Sequence, residues 1–248
     1  AAPVMAYARE YDVSTEYLQL ILPGYLVYRD VAEYVFQPID YSLPQHDYDW
    51  LLLDYQAGRV YYHDPAYAEI SYGIDVSVYQ GEIDWPAVKA DGIDFAVIRV
   101  GYRGYGQAGT MMPDPNFALN IAGAAQAGLD IGVYFFSQAV SEEEAEEEAE
   151  FALSLIGDYQ LKYPVVFDME EIHNDTARTD SLSRGQATDI ARAFCKKIER
   201  AGHQAMIYGN IKWLAGRLEL SRLTDYELWL AQYYRYPLFP YDFRIWQY

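Results

Sequence analysis

The stretch Lys162–Asp175, KYPVVFDMEEIHND, carries the deciding pattern of this chain. Pro164–Phe167 is an apolar run that reads as a buried strand, and Asp168 closes it. Strand side chains alternate between two faces, so Asp168 and Glu170 are expected on the same face, with Met169 between them on the other. At about 3.3 Å per residue, the two carboxyls are set about 7 Å apart along the backbone. Glu171 and Asp175 add further acids directly after them.

The same strand rhythm extends in both directions. From Ser71 onward, apolar strands ("SYGIDVS", "DFAVIRVGY", "DIGVYFFSQ", "YPVVFDME", "QAMIYGN", "ELWLAQY", "FRIWQY") alternate with helical stretches. Helices are predicted over Pro86–Ala90, Asn116–Ala127, Glu142–Ile156 and Ser183–Ala201, with a short one near Ile211–Gly216. Ser141 is a good N-cap, and the glutamates after it favour the positive end of a helix, so "EEEAEEEAE" reads as a solvated helix face. Strand–helix alternation predicts a parallel α/β architecture. The connections after "QAMIYGN" are too short for full helices. The expected fold is therefore a distorted β/α (TIM-like) barrel with an irregular last third.

Residues 1–69 break the rhythm. They are dense in Tyr and Asp, with one weak helical stretch at Ser14–Leu22. "YDWLLLDYQAGRVYYHD" reads as a hairpin with strands 48–54 and 59–63 around Gln56-Ala57-Gly58. The expectation is a small, mostly β accessory domain of unassigned role over 1–69, linked through "DPAYAEI" to a barrel domain over 70–248.

Composition narrows the function. The 248 residues are 52% hydrophobic, enough for a large core. Eighteen Lys and Arg against 37 Asp and Glu give a net charge of −19, which argues against nucleic acid or an anionic membrane as partner. Such a balance also serves solubility. The single cysteine, Cys195, sits in a predicted helix and reads as a buried structural thiol. No run reaches the 18 or so apolar residues of a membrane span, and no intact signal peptide is visible ahead of "AAPVMAYA". A monomer is assumed.

In β/α barrels, active sites lie at the carboxyl ends of the strands. There this sequence places Asp75; Arg99 and Tyr102; Tyr134, Phe136 and Ser137; Asp168 and Glu170; Tyr208 and Asn210; Trp229, Gln232 and Tyr233; and Trp246, Gln247 and Tyr248. Two carboxyls, one protonated and one ionised, are the machinery of glycoside hydrolysis, and crowding of like charge raises one pKa. Tyr and Trp suit sugar rings. The competing reading is an ionic network at a strand end, compensated by Arg99 or Arg103. His46, His63, His173 and His203 show no metal-ligand spacing, no calcium loop occurs, and "GYRGYGQAG" is neither a P-loop nor a dinucleotide fingerprint. No metal or cofactor is expected. No Gly-x-Ser-x-Gly elbow supports a serine hydrolase.

"GIDVSVYQGEIDW", "FAVIRVGYRG", "GVYFFS", "PVVFDMEE", "IYGN", "LWLAQY" and "IWQY" stand in an order that resembles glycoside hydrolase family 25, the Chalaropsis-type lysozymes. The resemblance covers about Ser71–Tyr248. It implies a distorted β/α barrel that cleaves the β-1,4 bond between N-acetylmuramic acid and N-acetylglucosamine in peptidoglycan, outside the cell or at the wall, without a cofactor. It implies Glu170 as general acid and Asp168 as partner carboxylate, attacking the sugar or orienting its 2-acetamido group. Asp75 would line the same pocket, and Tyr134, Tyr208, Trp229 and Gln232 the sugar subsite. The remaining rim residues, Phe136, Tyr233, Arg99 and Tyr102, are expected to contact substrate. Family members continue past "WQY" into a last strand with one more pocket Asp; the present sequence stops at Tyr248, so that strand is expected to be missing. A chitinase-like reading is disfavoured, because Tyr163 and Val166 occupy positions where its acidic ladder would need Asp. The alternative from another class is a catalytically weak or inactive wall-glycan-binding protein on the same scaffold.

Overall fold

The computed structural model describes residues 2–67, 70–172 and 175–248. The expected linker over 64–70 lies partly outside the described residues, as does His173. The chain opens with helices α1 (Ala2–Tyr11) and α2 (Thr15–Ile21). Two antiparallel hairpins come next, β1 (Tyr25–Asp30) with β2 (Glu33–Pro38), and β3 (Leu53–Gln56) with β4 (Arg59–Tyr62). Helix α2 and the second hairpin lie where the sequence placed them, although Trp50–Leu52 forms a 3-10 turn instead of strand. Helix α1 and the first hairpin were not expected, so the segment is mixed α/β and not mostly β. The first hairpin escapes sequence reading for a clear reason: its turn puts Val31 at φ +55, a left-handed position normally marked by Gly or Asn.

This segment packs on the strands of the larger sheet. Leu26 is fully buried in the same apolar cluster as those strands. Asp40 N donates to Tyr241 Oη at 3.0 Å, and Tyr48 Oη donates to the Phe243 carbonyl at 2.7 Å.

Seven parallel strands build that sheet: β5 (Gly73–Val76), β6 (Phe95–Arg103), β8 (Asp130–Phe136), β9 (Val165–Asp168), β10 (Ala205–Asn210), β11 (Glu227–Ala231) and β12 (Ile245–Gln247), adjacent in that order. A short β7 (Met111–Pro113) returns antiparallel along β6. Helices α3 (Trp85–Ala90), α4 (Phe117–Gln126), α5 (Glu142–Ile156) and α6 (Arg184–Arg200) connect the first strands. Ser141 and Ser183 accept the N-cap bonds of α5 and α6, and Gln186 completes a capping box at the second. After α6 only short turns occur, one of them a π-helical turn over Lys212–Arg217. The irregular last third is thus as the strand spacing predicts.

The sheet curls into a half-barrel. Its outer face (Ile98, Val133, Phe135, Val165, Phe167, Ile207, Leu230) is buried beneath the helices; each such side chain contributes about 1.5–3 kcal/mol of burial. The inner face carries a smaller cluster, Phe95, Val97, Val166, Met206, Tyr208 and Trp229. No backbone ladder joins β5 to β12 among the described residues. A side-chain bond spans that opening: Gln247 Nε2 donates to Asp75 Oδ2 at 2.8 Å.

At the amino end of the strands, the Phe95 and Tyr163 rings stack with centroids 4.1 Å apart and floor the half-barrel. Residue 132 must be glycine beneath them, since a Cβ there would stand 2.7 Å from Tyr163 Cβ and 3.0 Å from the Pro164 carbonyl. Gly132→Ala should therefore lose about 1–3 kcal/mol in urea unfolding through overpacking. Gly106→Ala, which meets nothing within 4 Å, should stay within error of the parent. Equal stability of the two variants would remove the floor from this account.

Candidate active site

Strand β9 delivers the central acid. Phe167 and Met169 face outward into the helix-covered core and are fully buried. The residues between and beyond them, Asp168 and Glu170, turn inward, as the two-residue period requires. Asp168 is buried and Glu170 half-buried. Burial pushes the Asp168 carboxyl well above the ordinary range, and the Glu170 charge, the hydrogen bond that protonated Asp168 donates to Glu170 and the Asp75 charge push the same way; Arg99 opposes them. Two carboxyls can share a hydrogen bond only when one is protonated, and the raised Asp168 pKa favours that state. The Asp168 shift is upward because that side chain is removed from water.

Around the pair stand aromatics from neighbouring strands. Trp229 meets Tyr208 edge-on with centroids 4.8 Å apart, and Tyr134 at 6.4 Å. Burial raises the Tyr134 and Tyr208 hydroxyls above their ordinary pKa, with nearby carboxylates adding to the effect. Phe136 lies in register with Asp168 on the adjacent strand. Tyr233 is 69% exposed, yet its hydroxyl donates to Gln247 Oε1 at 2.8 Å. Tyr208 Oη donates to the same oxygen at 2.9 Å. Gln247 thereby ties Tyr208 and Tyr233 to Asp75. Sequence reasoning placed Gln247 at a strand end but gave it no role; its inward alternation with Ile245 was the available signal. Ser77, hydrogen-bonded to Tyr134, was also passed over.

Other expected residues have structural partners of their own. Arg99 Nε donates to the fully buried Asp114 Oδ2 at 2.7 Å, and its guanidinium lies over the Tyr79 and Tyr102 rings. Arg103 pairs with Glu148 at 2.7 Å and Glu147 at 3.2 Å. These pairings count against a strand-end network in which either arginine is spent on the Asp168 pair. A register shift between Arg99 and Gly101 re-aims Tyr102 so that it lies beside Phe136. Gly101 permits it, since a Cβ there would meet the Met112 carbonyl at 2.7 Å. Gln232 accepts from Leu238 N at 2.8 Å and so holds the loop after β11. Asp168 Oδ1, Trp229 Nε1 and Gln232 Nε2 are buried with no hydrogen-bond partner among the described residues. Buried polar atoms are normally satisfied, so these three are free to take up groups of a bound molecule.

A cavity of about 920 Å³ lies elsewhere, between β5, β12, the amino ends of the strands and the β3–β4 hairpin. It meets the acid cluster only at its edge, through Asp75, Trp229 and Gln247, and Asp168 and Glu170 do not line it. The chemistry therefore locates the site at the opposite, carboxyl end. Among the described residues, no group of three His, Cys, Asp or Glu is placed to hold a metal ion, and no helix is long and apolar enough to cross a membrane.

Known proteins resemble this chain in sequence and in fold. The uncharacterized protein YegX of Escherichia coli O6:H1 is 30% identical over 66% of this chain and 57% of its own length. Lysozyme M1 of Streptomyces globisporus is 30% identical over 57% of this chain and 47% of its own. The chain thus spans only about half the length of these curated relatives. The modular autolysin LytC of Streptococcus pneumoniae superposes with a TM-score of 0.63 at 22% identity, covering 91% of this chain and 52% of that one. That share exceeds what residues 70–248 alone make up, so the likeness of fold reaches into the N-terminal segment. The family model for glycosyl hydrolases family 25 matches residues 74–248, and the chain belongs to that family.

Proposed function

We propose that this chain is a glycoside hydrolase of the lysozyme type, cleaving the β-1,4 bond between N-acetylmuramic acid and N-acetylglucosamine in peptidoglycan glycan strands. The observation that carries this reading is the Asp168–Glu170 pair, a buried carboxyl beside a half-buried one, at the mouth of an aromatic-lined half-barrel with Asp75 acting on it. The relatives support it: lysozyme M1 is a lysozyme by name, and LytC has been solved with a synthetic peptidoglycan ligand. The substrate would be met outside the cell, at or near the wall of a bacterium.

In this mechanism Glu170, the more exposed of the pair, takes the proton that Asp168 donates to it across their hydrogen bond and passes it to the glycosidic oxygen. Asp168 is left as the buried anion, facing the positive charge that develops on the sugar. It attacks the anomeric carbon or orients the 2-acetamido group to do so. Its unpartnered Oδ1 is available for either role. Asp75, held by Gln247, adds negative potential from β5. Tyr134, Phe136, Tyr208, Trp229 and Tyr233 offer ring faces and hydroxyls to the sugar, with Gln232, Arg99 and Tyr102 at the edges.

Glu170→Gln keeps the shape and removes the transferable proton. Hydrolysis of purified peptidoglycan should fall about 100- to 10,000-fold, while glycan binding measured by calorimetry stays close to that of the parent. Turnover at the parent's rate would remove Glu170 from the role of acid. If the parent itself released no muropeptides, the scaffold would be a glycan-binding one.

Asp168→Asn separates function from stability. The folded protein keeps a proton on the pair at pH values where the unfolded chain has released it, so folding loses free energy as pH rises above the ordinary Asp value of about 3.9. The amide is free of that loss. The variant should be inactive yet more stable than the parent near neutrality, with the gap closing toward acid pH in denaturant titrations. A variant less stable than the parent near neutrality would contradict the raised Asp168 pKa.

The two carboxyls share one strand end, which leaves little room for a water held between distant acids. Cleavage is therefore expected to retain anomeric configuration. Proton NMR of the first product should show the β-anomer; the α-anomer would assign an inverting mechanism.

A further inference from the structure

The N-terminal segment reaches Glu171, the residue next to the acid pair, through one lysine. Strand β1 ends at Asp30, and Lys212 opens the π-helical turn after β10. Lys212 Nζ lies 2.6 Å from Asp30 Oδ1 and 2.5 Å from Glu171 Oε2. The Lys212 side chain is only 17% exposed. Behind the bridge the contact is tight: Tyr28 Oη occupies the space where a side chain on residue 216 would begin, and Leu26 is buried in the common core. Asn210 Oδ1 caps the turn from the other side, accepting from Trp213 N at 2.8 Å. Glu171 directly follows Glu170 in the chain. Single π-helical turns are rare and cluster at functional sites.

We infer that Asp30, Lys212 and Glu171 form a positioning bridge through which the N-terminal segment sets the place and protonation of Glu170. This rests on the reading of Glu170 as the acid. The bridge acts in two ways. Mechanically, it pins the backbone after Met169, so the Glu170 carboxyl keeps its distance from Asp168. Electrostatically, one ammonium between two carboxylates leaves a net single negative charge beside Glu170. Among the described residues, groups that act on the pair or feel its charge include Asp75 from β5, Arg99 from β6, Tyr208 from β10 and Tyr233 from the loop after β11. None of these belongs to residues 1–69, which meet the residue next to Glu170 through the bridge.

Charge reversal of effect is the signature to measure, because a purely structural role would not produce it. Lys212→Met leaves two unpaired carboxylates, so Glu170 should bind its proton more tightly and the alkaline limb of the kcat profile should rise by about half a pH unit. Asp30→Asn and Glu171→Gln each remove a negative charge, so that limb should fall by a similar amount. Lys212→Met should also lower kcat about 10- to 100-fold through misplacement, with KM little changed. Lys212→Arg keeps the charge and should restore both the limb and most of kcat. The profiles are recorded on one soluble glycan oligomer with the full chain, each variant first shown to be folded by its circular dichroism melt. Asp30 is half exposed, so Asp30→Asn carries the test if Lys212→Met does not fold. Limbs that coincide with the parent's, or that move in one direction for both charge types, overturn the bridge. Glu170→Gln in the same series separates the two claims: if it retains turnover, the assignment of the acid fails; if it is dead while the bridge variants match the parent, only the bridge fails.

Discussion

The alternation of side chains along β9 is the constraint on which the rest of this structure depends. Phe167 and Met169 are driven outward into a dry core, and nothing polar fits there in their place. Asp168 and Glu170 must then face inward. A slip of one residue would put Asp168 among Phe135 and Phe194 and expose two large apolar side chains, an exchange that costs several kcal/mol for the buried charge alone. The helices over the outer face thus hold the carboxyls in register from behind.

Holding two carboxyls side by side is unfavourable, and the fold absorbs that cost instead of removing it. Arg99 stands close enough to oppose the Asp168 shift but is bound to Asp114. Arg103 is bound to Glu148, whose burial lifts its pKa to about 7. These pairs brace the walls between β6, β8 and α5. Neither arginine is spent on Asp168, whose carboxyl stays raised. Stability given up at a site for the sake of reactivity is the usual trade in enzymes.

The irregular last third has its own consequence. Full helices after β10 and β11 would cover the side of the half-barrel where the N-terminal segment now packs. Short turns leave room for Tyr28 against Gly216, for Asp30 against Lys212 and for Tyr48 against the Phe243 carbonyl. The opening between β5 and β12 is crossed by Gln247, which holds Asp75 and two tyrosines at once. Loss of regular structure on this side thus coincides with side-chain hydrogen bonds between residues far apart in the chain.

Much of this was written locally. The seven strands follow from apolar runs, and α5 spans Glu142–Ile156 residue for residue because a serine cap and a two-faced pattern lie within it. Asp168, Glu170 and the aromatic rim were legible because strand period and strand ends are properties of neighbours in sequence. Helix α1 and the β1–β2 hairpin were not, since Val31 stands where a turn would be announced by glycine or asparagine. Nor could the sequence show that Arg99 is bound to Asp114, that a bulge turns Tyr102 toward Phe136, or that Gln247 meets Asp75 from 172 residues away. Local order depends on the backbone preferences of a few adjacent residues. Which side chains share a site depends on how far the sheet curls and where loops return, and only the packed tertiary structure decides that.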